Sequence, residues 1–86
     1  MKLTERHIQL LIALKEHRDS IWNIENCPMS TRLLAEVTDT HSDRVCESCG
    51  DLVADGLIII IKTDLLPMYI IKTKGIKCVD EIVQNS

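Results

Sequence analysis

The sequence predicts an α+β domain: a three-helix bundle, then a β-hairpin, then one closing helix. Apolar residues recur at helical spacing from Ile8 to Leu52. At Leu57 the pattern changes to a β-branched run, Ile58-Ile59-Ile60-Ile61, answered after a turn by Met68-Tyr69-Ile70-Ile71. Helical spacing returns after Thr73 with Ile76, Val79 and Val83.

Eighty-six residues with 45% apolar and 27% charged side chains suit one small globular domain, expected to span residues 1–86. A chain this short buries only about 60–65% of its unfolded surface, so its stability has little reserve. With Trp22, Tyr69 and no Phe, the core must be Ile, Leu and Val. Two aromatics cannot supply the stacking platforms that single-strand and RNA binders use, which sets those classes aside. The polar start Met1-Lys2-Leu3-Thr4-Glu5 has no signal-peptide character, and the longest apolar run, Leu57 to Ile61, is too short to cross a bilayer. The expectation is a cytoplasmic protein without membrane contact.

Thr4 is placed to cap a first helix running to about Arg18. Its apolar residues Ile8, Leu10, Leu11, Ile12 and Leu14 cover more than half the helix circumference. A surface helix needs a stripe of only about 100°. Two readings stay open: part of this arc meets a second copy in a homodimer, or loops of the same chain cover it. Asp19 to Pro28, with Ile21, Trp22 and Ile24, reads as a connector holding a short buried strand or helical turn. Ser30 caps a second helix through Thr38, with Leu33, Leu34 and Val37 apolar. After the polar break Thr38-Asp39-Thr40, His41 or Ser42 starts a third helix that ends at Asp55-Gly56. There Val45, Cys49 and Leu52 fall on one face, with Asp43, Glu47, Gly50, Asp51 and Ala54 opposite. Thr73 is expected to cap the closing helix.

Two helices joined by so short a break cross steeply, which leaves the second standing proud of the domain. Such a helix fits a DNA major groove. At this point the chain resembles the winged helix-turn-helix transcription regulators of the MarR and ArsR type. Leu34-Ala35-Glu36-Val37 followed by Val45, Leu52 and Asp55-Gly56-Leu57-Ile58 is similar to their "LAE…V…L…DGLI" run, and Tyr69-Ile70-Ile71-Lys72-Thr73-Lys74-Gly75 to the "Y-x-L-T-x-x-G" that closes the wing. The chain departs from the pattern at Thr38 and Thr40, where apolar residues are usual, and at Cys49, where Leu is usual. No counterpart of the long terminal dimerisation helices of MarR proteins is expected within residues 1–86.

The resemblance implies double-stranded DNA as partner and the third helix as the recognition element. Ser42, Asp43, Arg44, Glu47 and Ser48 are then the residues expected to reach bases, Arg44 pairing with guanine O6/N7 and Glu47 accepting from cytosine N4. Backbone anchoring falls to Thr31 and Arg32 and to Lys62, Thr63, Lys72 and Lys74 of the wing. The charge pattern supports only half of this. From Glu36 to Asp55 there are six acids against Arg44, whereas Lys62 to Lys77 holds four lysines against Asp64. With a net charge of −3, the acidic third helix also leaves docking on a basic protein partner as the alternative to DNA.

Cys46-x-x-Cys49 puts two sulfurs one turn apart, and Cys27 and Cys78 would complete a four-thiolate site if the fold gathered them. Because a free cysteine behaves as a small apolar residue, core packing is the expectation and no cofactor is expected. His7, His17 and His41 are scattered with no acidic neighbour in register, and no glycine-rich phosphate loop exists. Nothing assembles a nucleophile, a base and oxyanion donors, so an enzyme is not expected.

Overall fold

The computed structural model describes residues 2–20, 28–62 and 67–84. It contains α1 (Glu5–Ser20), β1 (Met29–Ser30), α2 (Thr31–Thr38), α3 (Ser42–Ala54), β2 (Ile58–Ile61), β3 (Met68–Ile71) and α4 (Thr73–Gln84). The three strands form one antiparallel sheet in the order β1-β3-β2. Ile58 faces Ile71 at the base of the hairpin and Ile61 faces Met68 near its tip, while Met29 faces Tyr69. The third strand thus lies just past the connector expected to hold it. Ile21, Trp22 and Ile24, and the tip residues Asp64, Leu65 and Leu66, lie outside the described residues.

α1 is the central helix. It packs against α2, α3, α4 and β3, and Leu10, Leu11 and Leu14 are fully buried among them. The leucines of its wide apolar arc are therefore spent inside the chain, and the homodimer reading loses them; Ile8 and Ile12 are half-buried and remain open to it. α3 lays Val45, Cys49 and Leu52 into the same core, as their spacing predicts. Two apolar positions depart from expectation. Val37 on α2 and Val83 in the last turn of α4 are exposed.

The helix ends are set by local chemistry. Thr4 caps α1 with its hydroxyl accepting from the His7 backbone N–H, while Thr4 N–H donates to His7 Nδ1 at 3.0 Å. This is the reciprocal geometry of a capping box with histidine in the usual place of glutamate. Ser30 Oγ accepts from Leu33 N at 3.1 Å and caps α2. α4 starts one residue earlier than expected: Thr73 is its first residue, and the Lys72 carbonyl accepts the first helical bond, from Ile76 N–H. α3 ends in a Schellman motif. Leu57 N–H reaches back to the Leu52 carbonyl, Gly56 N–H to the Val53 carbonyl, and Gly56 takes φ +75°.

The turn between α2 and α3 is built without glycine. Asp39 adopts a left-handed conformation (φ 51°, ψ 48°), which Asp and Asn tolerate better than other side chains. Thr40 N–H bonds the Ala35 carbonyl, and the Thr38 hydroxyl donates to the Leu34 carbonyl at 2.6 Å. The two threonines that replace apolar residues here satisfy carbonyls at the end of α2.

Candidate nucleic-acid interface

The turn delivers α3 with its first residues in solvent. His41 caps it by accepting from Asp43 N–H at 3.3 Å. Ser42, Asp43, Arg44 and Glu47 are exposed, together with Cys46, Gly50, Asp51 and Ala54, and the helix is buried on one face only. Its outward crest, Asp43-Glu47-Gly50-Ala54, is acidic and then small. A Cβ built on Gly50 meets nothing within 4 Å, so packing within this chain does not require glycine there. On one flank Arg44 faces a cleft against α1; on the other, Cys46 Sγ lies 3.9 Å from Thr31 Oγ1.

Two expected contact residues are not available. Ser48 is buried, because it stands three residues after Val45 and four before Leu52 and shares their face. Thr31 is buried as the first residue of α2, where its side chain hydrogen-bonds Tyr69. Arg32, by contrast, is 83% exposed, 3.8 Å from Glu36.

His7 is the residue that the sequence reading missed. It is buried at the start of α1, and its Nε2 lies 3.0 Å from Asp51 Oδ2 on α3. With Nδ1 accepting from Thr4 N–H, the neutral ring carries its proton on Nε2 and donates it to Asp51. An acidic neighbour therefore exists, across 44 positions of sequence, and Asp51 is a brace for α3 as well as a surface charge. The Thr4-x-x-His7 spacing of a capping box was the available local signal.

No family model matches the chain, and no curated protein matches it. Solved structures do. The Bordetella bronchiseptica protein BpsR, whose DNA binding is regulated by 6-hydroxynicotinic acid, superposes with a TM-score of 0.78 at 19% identity over 96% of this chain. MepR of Staphylococcus aureus, in its DNA complex, superposes with a TM-score of 0.77 at 16% identity over 95% of this chain. The chain has a winged helix-turn-helix fold. It spans 54% of the BpsR chain and 63% of the MepR chain, but 98% of a small Ralstonia eutropha chain assigned as DNA-binding (TM-score 0.78, 17% identity).

In this winged helix α2 and α3 are the helix-turn-helix pair, and β2 and β3 are the wing. The lysines expected to act together on the wing are separated. Lys62 is exposed on the tip side of β2. Lys72 is exposed at the base, bonded through its backbone N–H to the Leu57 carbonyl, roughly 16 Å along the hairpin at about 3.3 Å per residue. Lys74 belongs to α4, and its ammonium donates to the Asp55 carbonyl at 3.0 Å, closing the C-terminal end of α3. Only Lys62 is left as a tip cation among the described residues. Thr63 lies outside them, as does Cys27.

Among the described residues no three metal-ligating side chains gather. Cys46 is exposed, Cys78 is half-buried and Cys49 is fully buried beneath α3. Burial, and then the neighbouring Cys46, push the Cys49 thiol from 9.0 up to about 12. Burial also raises Tyr69, against an opposing hydrogen bond from Thr31. Both groups hold their proton more tightly folded than unfolded, so stability should be fully present below about pH 9 and fall as pH rises toward 12. The slope for Cys49 is about 1.4 kcal/mol per pH unit. Urea midpoints measured from pH 8 to 11 should decline on this schedule, and less steeply for Cys49→Val. An equal decline in that variant would remove Cys49 as the cause.

Proposed function

We propose that this chain is a duplex-DNA-binding regulator of transcription. Its best support is the exposed side of α3: the crest residues Asp43 and Glu47, with Ser42 at the helix start, stand in solvent on a helix whose other face is locked in the core, presented by a fold that MepR shares in its DNA complex. In this reading the crest enters the major groove, with Glu47 accepting from cytosine N4 and Ser42 and Asp43 reaching neighbouring base edges. Arg32 and Lys62 anchor the backbone on either side, and Lys72 is a further phosphate contact at the base of the wing. The protein works as a binding module rather than as an enzyme, and in the cytoplasm; no described helix is long and apolar enough to cross a membrane.

Selection of bound duplexes from a random pool, at two salt concentrations, tests this directly: a recurring site retained at the higher salt supports it, and no enrichment at either defeats it. Within a positive result, Lys62→Ala should weaken binding uniformly across sequences and lower the salt slope by about one. An unchanged slope would take the wing tip off the phosphate surface.

A second reading rests on one observation, the absence of any cation on the α3 crest. A crest carrying Asp43 and Glu47 also complements a basic protein surface, in which case α3 docks protein instead of DNA.

A further inference from the structure

An open cleft of about 800 Å³ lies between the start of α1 and the helix-turn-helix turn, lined by Thr4, Arg6, Gln9, Thr40, His41 and Arg44 among others. Arg6 and Arg44 reach it from elements far apart in sequence. Among the described residues neither makes an ion pair, whereas Arg32 faces Glu36 at 3.8 Å and Lys15 faces Asp19 at 2.9 Å. The first turns of α1 and α3, capped by Thr4 and His41, both border the cleft, so two positive helix ends add to the two guanidiniums. Forked donors, hydroxyls and helix ends together recognise a tetrahedral oxyanion. Glu5 and Asp39 also line the cleft. Their charge offsets the arginines', so the cleft is no broad polyanion surface, and an anion there is held by direct contact with the two guanidiniums, which lack ion-pair partners among the described residues.

We propose that this cleft seats a single phosphodiester of the duplex backbone, gripped between Arg6 and Arg44 as the start of α3 enters the groove. The assignment rests on the DNA-binding reading above, adds Arg6 to the interface, and moves Arg44 from base reading to backbone anchoring. Arg44 is suited to that role because it lies on the α1 flank of α3 and not on the crest.

The test uses the full chain and a random-sequence duplex, titrated from about 50 mM to about 200 mM salt. One lost phosphate contact removes about one unit of salt slope, which over that range is about a 3- to 4-fold change in relative affinity. Arg6→Ala and Arg44→Ala should each show this loss equally on every duplex, with the selected base preference intact. Asp39→Asn keeps a residue that tolerates the left-handed turn and removes a repelling charge, so it should tighten random-duplex binding about 2- to 3-fold. Misfolding cannot produce that gain. An unchanged slope in Arg6→Ala, no gain in Asp39→Asn, or an Arg44→Ala loss confined to one base pair would each overturn the seat. Failure of the unaltered protein to bind any duplex would overturn the DNA reading itself, and the seat with it.

Discussion

Gly75→Ala is expected to cost about 3 kcal/mol or more of folding stability, a large share of what a domain of this size holds. A Cβ at Gly75 would collide with the Leu57 carbonyl oxygen and come within 2.8 Å of Ile71 Cγ1. Neither neighbour is free to yield. The Leu57 carbonyl accepts from Lys72 N–H at 3.0 Å, the bond that joins the entry of β2 to the exit of β3, and Ile71 is buried in the sheet. Alanine would therefore lever α4 away from the base of the wing or break the bond that closes it. Urea denaturation should show a midpoint far below that of the unaltered protein. A variant whose unfolding free energy lies within about 0.5 kcal/mol of the unaltered protein's would mean that α4 can shift at little cost, and that glycine is not demanded by close packing there.

The second large effect concerns charge. Reversing Asp43 and Glu47 to lysine converts the exposed crest of α3 from acidic to basic without touching the core, since both side chains are in solvent. Random-duplex affinity at low salt should rise on the order of tenfold, and the salt slope should steepen by up to about two. If Glu47 reads cytosine, discrimination at that position should fall by about 1–3 kcal/mol at the same time. Asp51 is left out of the reversal because its carboxylate braces buried His7, and a lysine there would face the ring and confuse unfolding with altered recognition. Fluorescence anisotropy on a selected and a scrambled duplex separates the two effects. A crest that meets DNA must respond in both. If affinity for neither duplex changes, α3 does not face nucleic acid, and the protein-docking reading gains.

Most of the architecture was legible because periodicity is a local property. Val45, Cys49 and Leu52 are one face of a helix by spacing alone, and Ile58–Ile61 is a strand because four β-branched residues in a row fit a pleated surface. Ser48 was legible by the same rule, since its spacing from Val45 and Leu52 places it inward, but a small polar side chain carries no hydrophobic signal to draw attention to its burial. Asp39 shows the reverse case: the left-handed turn usually marked by glycine is made by a residue that only tolerates it.

What the sequence determined by itself was the order of elements, the buried stripe of α3 and its acidic exposed face, since each follows from neighbours within a turn or two. Tertiary structure alone decided which side chains meet. It placed α1 at the centre of the bundle, so that Leu10, Leu11 and Leu14 of its broad apolar arc are covered by four elements of its own chain. It paired His7 with Asp51, turned Lys74 to the end of α3, sealed Thr31 beneath Tyr69 and brought Arg6 to the cleft that Arg44 lines. The physical reason is the same in each case: a backbone repeat dictates which face a residue occupies, but the partner across that face comes from a distant segment whose approach only the packed core defines.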